Sequence, residues 1–396
     1  MSDTSPITRR TALAALGASL AGVVGAPAIL RKRHQLFAYS TTEYSSRAIR
    51  LVEETVAIDM LNQFRFSDFS ENPPRNVKWM REPGSFTKAD YDVYRTSGIR
   101  VFALGSGPGN YEASIRFFAE WNGFIAGYDD WFMRIDDVSD FARLKRNGKV
   151  GIMITCQTSD HFRTVNDVET FFALGQRVSQ ITYNATTRTG SGFLAETDNG
   201  LTEYGASLIK RLNEVGMAVD LSHCGDRTTL DALGVVQKPV IISHGSCRGV
   251  ATGHLRAKTD EMIKKVADTG GMMGIAFLRF IIKNDEPVTI ENALDHFDHA
   301  VKLVGVEHIG VGSDMDVIGN PNPVGGPDNI STQPNFSRYN LHRDAEGKIT
   351  IKGLDHAKRM YDLTEGFIRR KYSDANIKLM LGGNWERTLG TIWPKA

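Results

Sequence analysis

The chain has few cysteines, almost no net charge and no obvious membrane-spanning run, and each shortage excludes a class of protein. Three cysteines in 396 residues are too few for a disulfide framework. Lys+Arg 47 nearly balances Asp+Glu 46, and no long basic stripe follows the first residues, so a nucleic acid partner is not expected. With 41% apolar and 23% charged residues, the composition is that of an ordinary globular protein.

The cysteines lie beside predicted strand ends, which leaves two interpretations open. The cysteines could be thiolate ligands of a metal, or they could be buried as small apolar side chains. The second interpretation is favoured, because free cysteine is among the most buried residue types. The three positions are Cys156, Cys224 and Cys247.

The N-terminus has the pattern of an export signal. Arg9 and Arg10 precede a stretch that is shorter and richer in Ala and Gly than the ~20 strongly apolar residues of a spanning helix. A small-residue site, Ala26-Pro27-Ala28, follows. The segment resembles a twin-arginine signal and predicts cleavage near Ala28, recognition by the twin-arginine export machinery and a periplasmic or secreted protein. An uncleaved N-terminal anchor is the alternative.

Residues 29–396 show no linker or shift in composition, so one domain with C-terminal helices is expected. Eight short apolar runs alternate with helical patterns, which favours a (β/α)8 TIM barrel over an open sheet. The predicted strands are 56–61, Arg100–Leu104, Val150–Thr155, Val178–Thr182, Met217–Leu221, Val240–Ile242, Met272–Phe277 and Ile309–Val311.

The predicted helices have ordinary lengths. They cover Tyr44–Thr55, Ser114–Trp121, Val165–Leu174, Leu201–Val215, Arg227–Leu233, Asp260–Thr269, Ile290–Val304, Gly353–Lys371 and Asp374–Met380. A long loop rich in Gly, Pro and Asn, Asp316–Asn340, follows the last strand, and a loop of this length is a candidate lid.

The segment from Gly216 to Gly249 organises the predicted site. Its two apolar runs each end in a Ser-His pair, so His223 and His244 should leave neighbouring parallel strands at the same end of the barrel. That end carries the chemistry of βα barrels. Two histidines in a repeated frame favour contact with a metal or a substrate over hydrogen bonding to a loop.

Other polar residues follow the remaining predicted strands. Asp59, Gln157, Tyr183 and Asp314 should face the same barrel mouth, and two imidazoles with a carboxylate suit a borderline metal such as zinc. Asp314 could be a metal ligand, a general base or the partner of a substrate amine; a turn or cap residue is the alternative, and nearby Asp316 could take its place.

Five segments resemble the membrane (renal) dipeptidase family of the amidohydrolase superfamily. They are DLSHCG, PVIISHGSCRG, LRAKTDE, HFDHAVKLVGVEHIGVGSDMD and LGGNWERTL. The likeness runs from about Val56 to Leu389 and is stronger in the second half. It implies a (β/α)8 barrel and, in standard members, a two-zinc site that hydrolyses dipeptides; barrels of this family often pair as homodimers.

The resemblance also implies roles for four intact positions. His223 and His244 match the two histidine ligands of one zinc ion. Arg256 matches the arginine that binds the substrate carboxylate, and Asp314 matches the aspartate near the substrate amine and the proton transfer.

Four other positions depart from the family pattern. The first strand of the family carries Asp-Gly-His-Asn-Asp, whose His and second Asp hold the other zinc, where this chain has Leu61 and Gln63. Gln157 replaces the glutamate that bridges both metals, and Tyr183 replaces a substrate-contacting histidine. Two lost negative charges and one lost donor leave a second divalent ion poorly compensated, so at most one metal is expected.

Three functions fit these residues. The first is an exported, dipeptidase-like hydrolase with one metal at most, bound by His223 and His244 with Gln157, Asp314 or Asp59 as further candidate ligands, and acting on a small substrate with a carboxylate. The second is a lyase or isomerase that uses Tyr183 and Asp314 as acid and base. The third is a binding protein without catalysis.

Overall fold

The computed structural model describes residues 33–36, 42–65, 75–105, 107–319, 345 and 349–394. The predicted signal segment, residues 1–28, lies outside the described residues, and so does the candidate lid beyond Gly319. Compactness divides the chain into two units, Met1–Arg50 and Leu51–Ala396. In the first unit, Arg33–Gln35 pairs with Glu43–Ser45 in an antiparallel ladder.

Eight parallel strands form a nearly closed barrel in the second unit, as predicted. Each strand pairs with the next, and a parallel bridge between Asn62 and Met315 joins the first strand to the segment after the last. A short extra strand, Phe132–Arg134, pairs with the third and was not predicted. The barrel strands are β1 (Ile58–Asn62), β2 (Val101–Leu104), β3 (Val150–Cys156), β4 (Gln176–Gln180), β5 (Ala218–Asp220), β6 (Ile241–Gly245), β7 (Met272–Ile275) and β8 (Ile309–Val311).

Helices occupy most of the connections. They are Ser46–Glu54, Arg75–Arg81, Lys88–Thr96, Tyr111–Gly127, Val138–Asn147, Asp167–Ala173, Glu203–Val215, Asp226–Leu233, Asp260–Asp268, Arg279–Ile282, Ile290–Val304, Arg359–Arg369, Asp374–Lys378 and Asn384–Ile392, with a 3-10 turn at Val306–His308 and a π-helical turn at Leu379–Gly383. Among the described residues, every helix is too short or too polar to span a bilayer.

Two of the helices that were not predicted have clear start signals. Thr87 and Asp90 form a capping box at Lys88–Thr96, and Asp137 and Asp140 form another at Val138–Asn147. Each box satisfies backbone N–H groups that a helix start leaves without partners. Both helices have few apolar residues, so apolar periodicity in the sequence does not indicate them.

The barrel interior is apolar at one end and polar at the other. Ile58, Val101, Met153 and Ala218 point inward and pack against Trp385 of the last helix, which closes the lower end. The indole Nε1 of Trp385 donates a hydrogen bond of 3.0 Å to the backbone oxygen of Val311. The polar groups of the strands therefore collect at the opposite, carboxyl-terminal end.

Gly312 lets two segments approach each other at that end. A Cβ atom on Gly312 would lie 1.8 Å from the backbone oxygen of Ser243, so only glycine fits there. The close approach brings the segment after β8, with Asp314, beside His244 on β6.

Candidate active site

His223 and His244 meet at the barrel mouth, as the repeated Ser-His frame predicts. His223 follows β5 and His244 lies in β6, and the two strands pair in parallel. Their exposed fractions are 2% and 0%. The two Nε2 atoms lie 2.9 Å apart, so both rings face one point.

The opposite nitrogen of each ring has a partner within the protein. His223 Nδ1 lies 2.6 Å from the side-chain oxygen of Asn184, and His244 Nδ1 lies 2.8 Å from Ser243 Oγ. Burial, reinforced by the positive charge of Arg256, holds the pKa of both histidines well below the usual range. Both rings are therefore neutral near pH 7.

Asp314 lies beside this pair. Its Oδ2 is 3.9 Å from His244 Nε2, and its Oδ1 accepts a hydrogen bond of 3.1 Å from Gln63. The backbone at Asp314 has φ 57°, a left-handed conformation that a non-glycine residue adopts at a cost. Burial raises the pKa of its carboxyl to about 7, which is the range of an effective general base.

Asp316, the alternative, takes a structural position. It is fully buried, and its carboxylate accepts hydrogen bonds from the backbone N–H groups of Arg65 and Ile318. These contacts fix the turn after β8, so the geometry favours Asp314 for the site role.

Two further predicted residues border the histidines. Gln157 Nε2 lies 3.4 Å from His244 Nε2. The ring of Tyr183 stacks on His223 at 4.5 Å between centroids and 22° between planes. Burial raises the pKa of the Tyr183 phenol to about 12, so the phenol stays protonated and could act only as a donor near pH 7.

Arg256 supports the site from behind. Its side chain is 2% exposed, and its guanidinium donates to the backbone oxygens of Ser222 and His244, the latter at 2.8 Å. One side chain thus ties together the turns that carry both histidines. Sequence spacing does not indicate this contact, since an arginine between a loop and a helix is usually solvated.

Asp59 belongs to a different set of contacts. Its carboxylate accepts hydrogen bonds from Ser313 N at 2.7 Å, Ser313 Oγ at 2.6 Å and Asn62 Nδ2 at 3.0 Å, and lies 3.6 Å from Arg359. Four donors around a buried carboxylate favour a structural role. Its role as a metal ligand stays a prediction that these contacts do not support.

Burial decides between the two interpretations of the cysteines. All three cysteines are buried, which confirms their interpretation as small apolar side chains. A further histidine, His161, is fully buried between Phe162 and Phe171, and its Nε2 lies 3.0 Å from the side-chain oxygen of Gln176.

Comparison with known proteins identifies the family. The profile of the membrane dipeptidase family, peptidase family M19, matches residues 120–346, more than half of the chain. The chain belongs to the membrane dipeptidase family.

Two relatives within reach of sequence comparison carry dipeptidase names. An uncharacterized dipeptidase of Schizosaccharomyces pombe is 31% identical over 238 residues, 58% of this chain and 56% of that protein. Dipeptidase verJ of Clonostachys rogersoniana is 31% identical over 193 residues, 49% of this chain and 42% of that protein. The chain thus spans about half the length of the curated relatives that it matches.

Solved structures share the fold over a longer span. An amidohydrolase from Pseudomonas aeruginosa has a TM-score of 0.73 at 24% identity, over 88% of this chain and 99% of its own. A metallopeptidase from Rhodobacter sphaeroides, bound to a phosphinate mimic of the dipeptide L-Ala-D-Ala, has a TM-score of 0.67 at 17% identity, over 86% and 100%. These likenesses establish the shared barrel.

The membrane dipeptidase family implies divalent metal ions, and the residues present fit one ion better than two. His223 and His244 offer two imidazoles to one point, with Gln157 and Asp314 close by. On the other side, Leu61 is an apolar buried side chain and Gln63 donates to Asp314. In the described ranges, no group of three or more His, Cys, Asp and Glu side chains is arranged to hold a metal. A single ion would therefore depend on the two imidazoles together with the amide of Gln157, and a second ion would find still fewer ligands among the described residues.

Proposed function

We propose that this member of the membrane dipeptidase family hydrolyses a small dipeptide, amide or amino-acid-derived substrate that has a carboxylate, and uses at most one divalent ion. The observation that carries this proposal is the pair of Nε2 atoms 2.9 Å apart. His223 Nδ1 faces an amide oxygen, which only accepts, so the lone pair of His223 is on Nε2. A cation between the rings would use that lone pair.

The residues around the pair have distinct parts in this proposal. His223 and His244 would hold the ion, with zinc as the expected metal, and a bound zinc ion would polarise the scissile carbonyl and lower the pKa of a bound water. Asp314 accepts the proton from the attacking water, because its pKa near 7 lets it hold and release a proton.

Tyr183 and Arg256 serve the substrate. Tyr183 packs against His223 and presents a phenol donor to the substrate. Arg256 supplies positive charge behind the histidines, where its guanidinium donates to the backbone oxygens of Ser222 and His244. A carboxylate-bearing substrate suits this charge.

Metal content and activity together test the proposal. Purified protein should contain no more than about one zinc or similar ion per chain, and should hydrolyse members of a dipeptide panel in a way that a chelator abolishes. His223→Ala and His244→Ala should each remove the ion, with no further loss in the double variant, because either loss leaves too few donors. His161→Ala is the matched control: it removes another buried histidine and should lower stability but not metal content. A stoichiometry near two would contradict the proposal.

A second candidate, a metal-independent lyase or isomerase, has one supporting observation. Asp314 with a pKa of about 7 and the protonated phenol of Tyr183 form an acid and base pair in one mouth. Activity that resists chelation and survives His223→Ala would favour this candidate. Binding of a carboxylate ligand without turnover would favour the binding protein.

We also propose export to the periplasm by the twin-arginine route, supported by Arg9 and Arg10 before the Ala-rich stretch. Replacing both by lysine should keep the protein in the cytoplasmic fraction. Undiminished periplasmic protein would contradict this route.

A further inference from the structure

A buried carboxylate lies directly beneath the two histidines, on the interior face of β5. Asp220 is 2% exposed. Its Oδ1 accepts from Ser222 N at 2.9 Å, Ser222 Oγ at 2.5 Å and Ser243 N at 3.0 Å, and its Oδ2 accepts from Ser243 Oγ at 2.5 Å. We call these three residues the Asp220 cluster. Hydrogen bonds in this cluster connect the Ser222-His223 and Ser243-His244 pairs to the same carboxylate.

The single hydroxyl proton of Ser243 decides which nitrogen of His244 is protonated. Within the described part of the chain, the Ser243 hydroxyl is the donor that faces Asp220 Oδ2. A buried carboxylate oxygen without a donor is costly, so the proton of Ser243 points to Asp220. Ser243 Oγ can then only accept from His244 Nδ1, 2.8 Å away. His244 is therefore protonated on Nδ1, and its lone pair is on Nε2.

Asn184 sets the tautomer of His223. Its side-chain oxygen lies 2.6 Å from His223 Nδ1 and accepts the proton there. The two rings consequently offer two lone pairs to each other across 2.9 Å. Two facing lone pairs repel, and a cation between them relieves that repulsion.

We infer that Asp220, acting through Ser243, and Asn184 are positioning residues that set both histidines in the tautomer whose Nε2 lone pairs can share one ligand. The inference rests on the proposed function only for the identity of that ligand, a divalent cation. Without the Asp220 cluster, His244 can carry its proton on Nε2 and donate to His223 across 2.9 Å, an ordinary hydrogen-bond length. That bond would occupy the Nε2 lone pair of His223 and would leave no lone pair on Nε2 of His244.

The tautomers can be read directly by long-range ¹H–¹⁵N correlation on metal-free, full-length protein labelled with ¹⁵N-histidine. Protonated and unprotonated ring nitrogens have different ¹⁵N shifts, and single alanine variants assign the two signals. One internal reference has the opposite tautomer: His296 accepts from Cys247 N on Nδ1 at 2.9 Å and donates from Nε2 to Ile282 O at 2.7 Å. Wild type should show Nδ1–H for His223 and His244, and Nε2–H for His296.

Three variants test the route through Ser243. Ser243→Ala removes the acceptor and should move His244 to the Nε2–H form. Asp220→Asn keeps the shape but places an N–H against Ser243, which turns the serine proton toward His244 and should give the same change. Ser243→Thr keeps the hydroxyl and should restore the wild-type pattern. If at least one variant with a changed His244 tautomer unfolds at the same temperature as wild type, misfolding is excluded as the cause of the change.

Zinc affinity, measured by competition with a chelator, provides the second readout. Ser243→Ala should weaken zinc binding by about 10- to 100-fold, and Ser243→Thr should not. An Nε2–H signal for His244 in wild type, or an unchanged tautomer in both Ser243→Ala and Asp220→Asn, overturns the inference. Wild type with the expected tautomers but no zinc binding overturns the proposed metal and leaves the tautomer assignment intact, so the two failures are distinct.

Discussion

The barrel mouth has two halves that use their polar side chains differently. In the histidine half, on β5 and β6, internal hydrogen bonds engage the Nδ1 atoms of His223 and His244 and leave both Nε2 atoms aimed at one point. In the carboxylate half, on β1 and after β8, the oxygens of Asp59 and Asp314 themselves accept the internal hydrogen bonds.

One of the altered family positions, Gln63, contributes to this difference. A two-metal site needs anionic ligands whose charge the metals balance. Here Gln63 places an amide N–H on Asp314, and Arg359 with Ser313 surrounds Asp59. Under the proposed function, these protein donors take the place of the compensation that a second cation would provide. The histidine half keeps the form of a metal site, while the carboxylate half has become part of the packing.

Restoring the family residues should have the largest effect on this difference. The triple variant Leu61→His, Gln63→Asp and Gln157→Glu returns two charges and one imidazole to the barrel mouth. Metal content after mild dialysis, measured by elemental analysis, should rise from about one per chain or fewer to near two, because the added anions compensate a second ion.

Leu61→His alone is the control for that variant, since it adds a donor without charge and should leave the stoichiometry unchanged. A triple variant that folds and still binds no more than one ion would mean that backbone geometry, rather than the lost ligands, excludes the second metal.

Replacing Asp59 in the carboxylate half should have the next largest effect. The free energy of unfolding should fall, while the metal content should not change. Asp59→Asn leaves the guanidinium of Arg359 fully buried beside a neutral group, and breaking a buried pair costs about 3–5 kcal/mol. Chemical denaturation measures this loss.

The double variant Asp59→Asn with Arg359→Met supplies the control. It should lose less stability than Asp59→Asn, because the buried guanidinium that has lost Asp59 is no longer present. Metal content should stay at the wild-type level in both. Loss of metal in Asp59→Asn without loss of stability would instead restore Asp59 as a ligand.

Local patterns in the sequence were enough to predict the barrel and the histidine half. The strands are apolar runs, and His223 and His244 each follow such a run in a repeated Ser-His frame, so their meeting depends only on the adjacency of β5 and β6. Asp220 and Ser243 belong to that same frame, but nothing in the spacing indicated that they share hydrogen bonds.

The carboxylate half could not be predicted in this way, because its contacts join distant parts of the chain. Asp59 lies 3.6 Å from Arg359, and Gln63 donates to Asp314. Asn184 lies in a loop whose path back to His223 depends on tertiary packing. Contacts of this range are set by the closure of the barrel and leave no periodic pattern in the sequence.

The smallest predicted effect is a pH dependence that belongs to Asp314 alone. Burial raises the pKa of its carboxyl in the folded protein to about 7, whereas an unfolded aspartate titrates near ~3.9. Between these values the folded protein holds a proton that the unfolded chain has released. The stability that Asp314 contributes is therefore fully present below pH ~4 and is lost as pH rises to about 7.

Asp314→Asn should thus gain about 2 kcal/mol relative to wild type between pH 5 and 8, measured by denaturation in the presence of a chelator. Asp137→Asn is the opposite control, because hydrogen bonds from Ser139 lower the pKa of Asp137 and place its titration below this window. An equal difference between Asp314→Asn and wild type at both pH values would show that the carboxylate of Asp314 is already ionised in the folded protein, and would remove the basis for its role as a proton acceptor near pH 7.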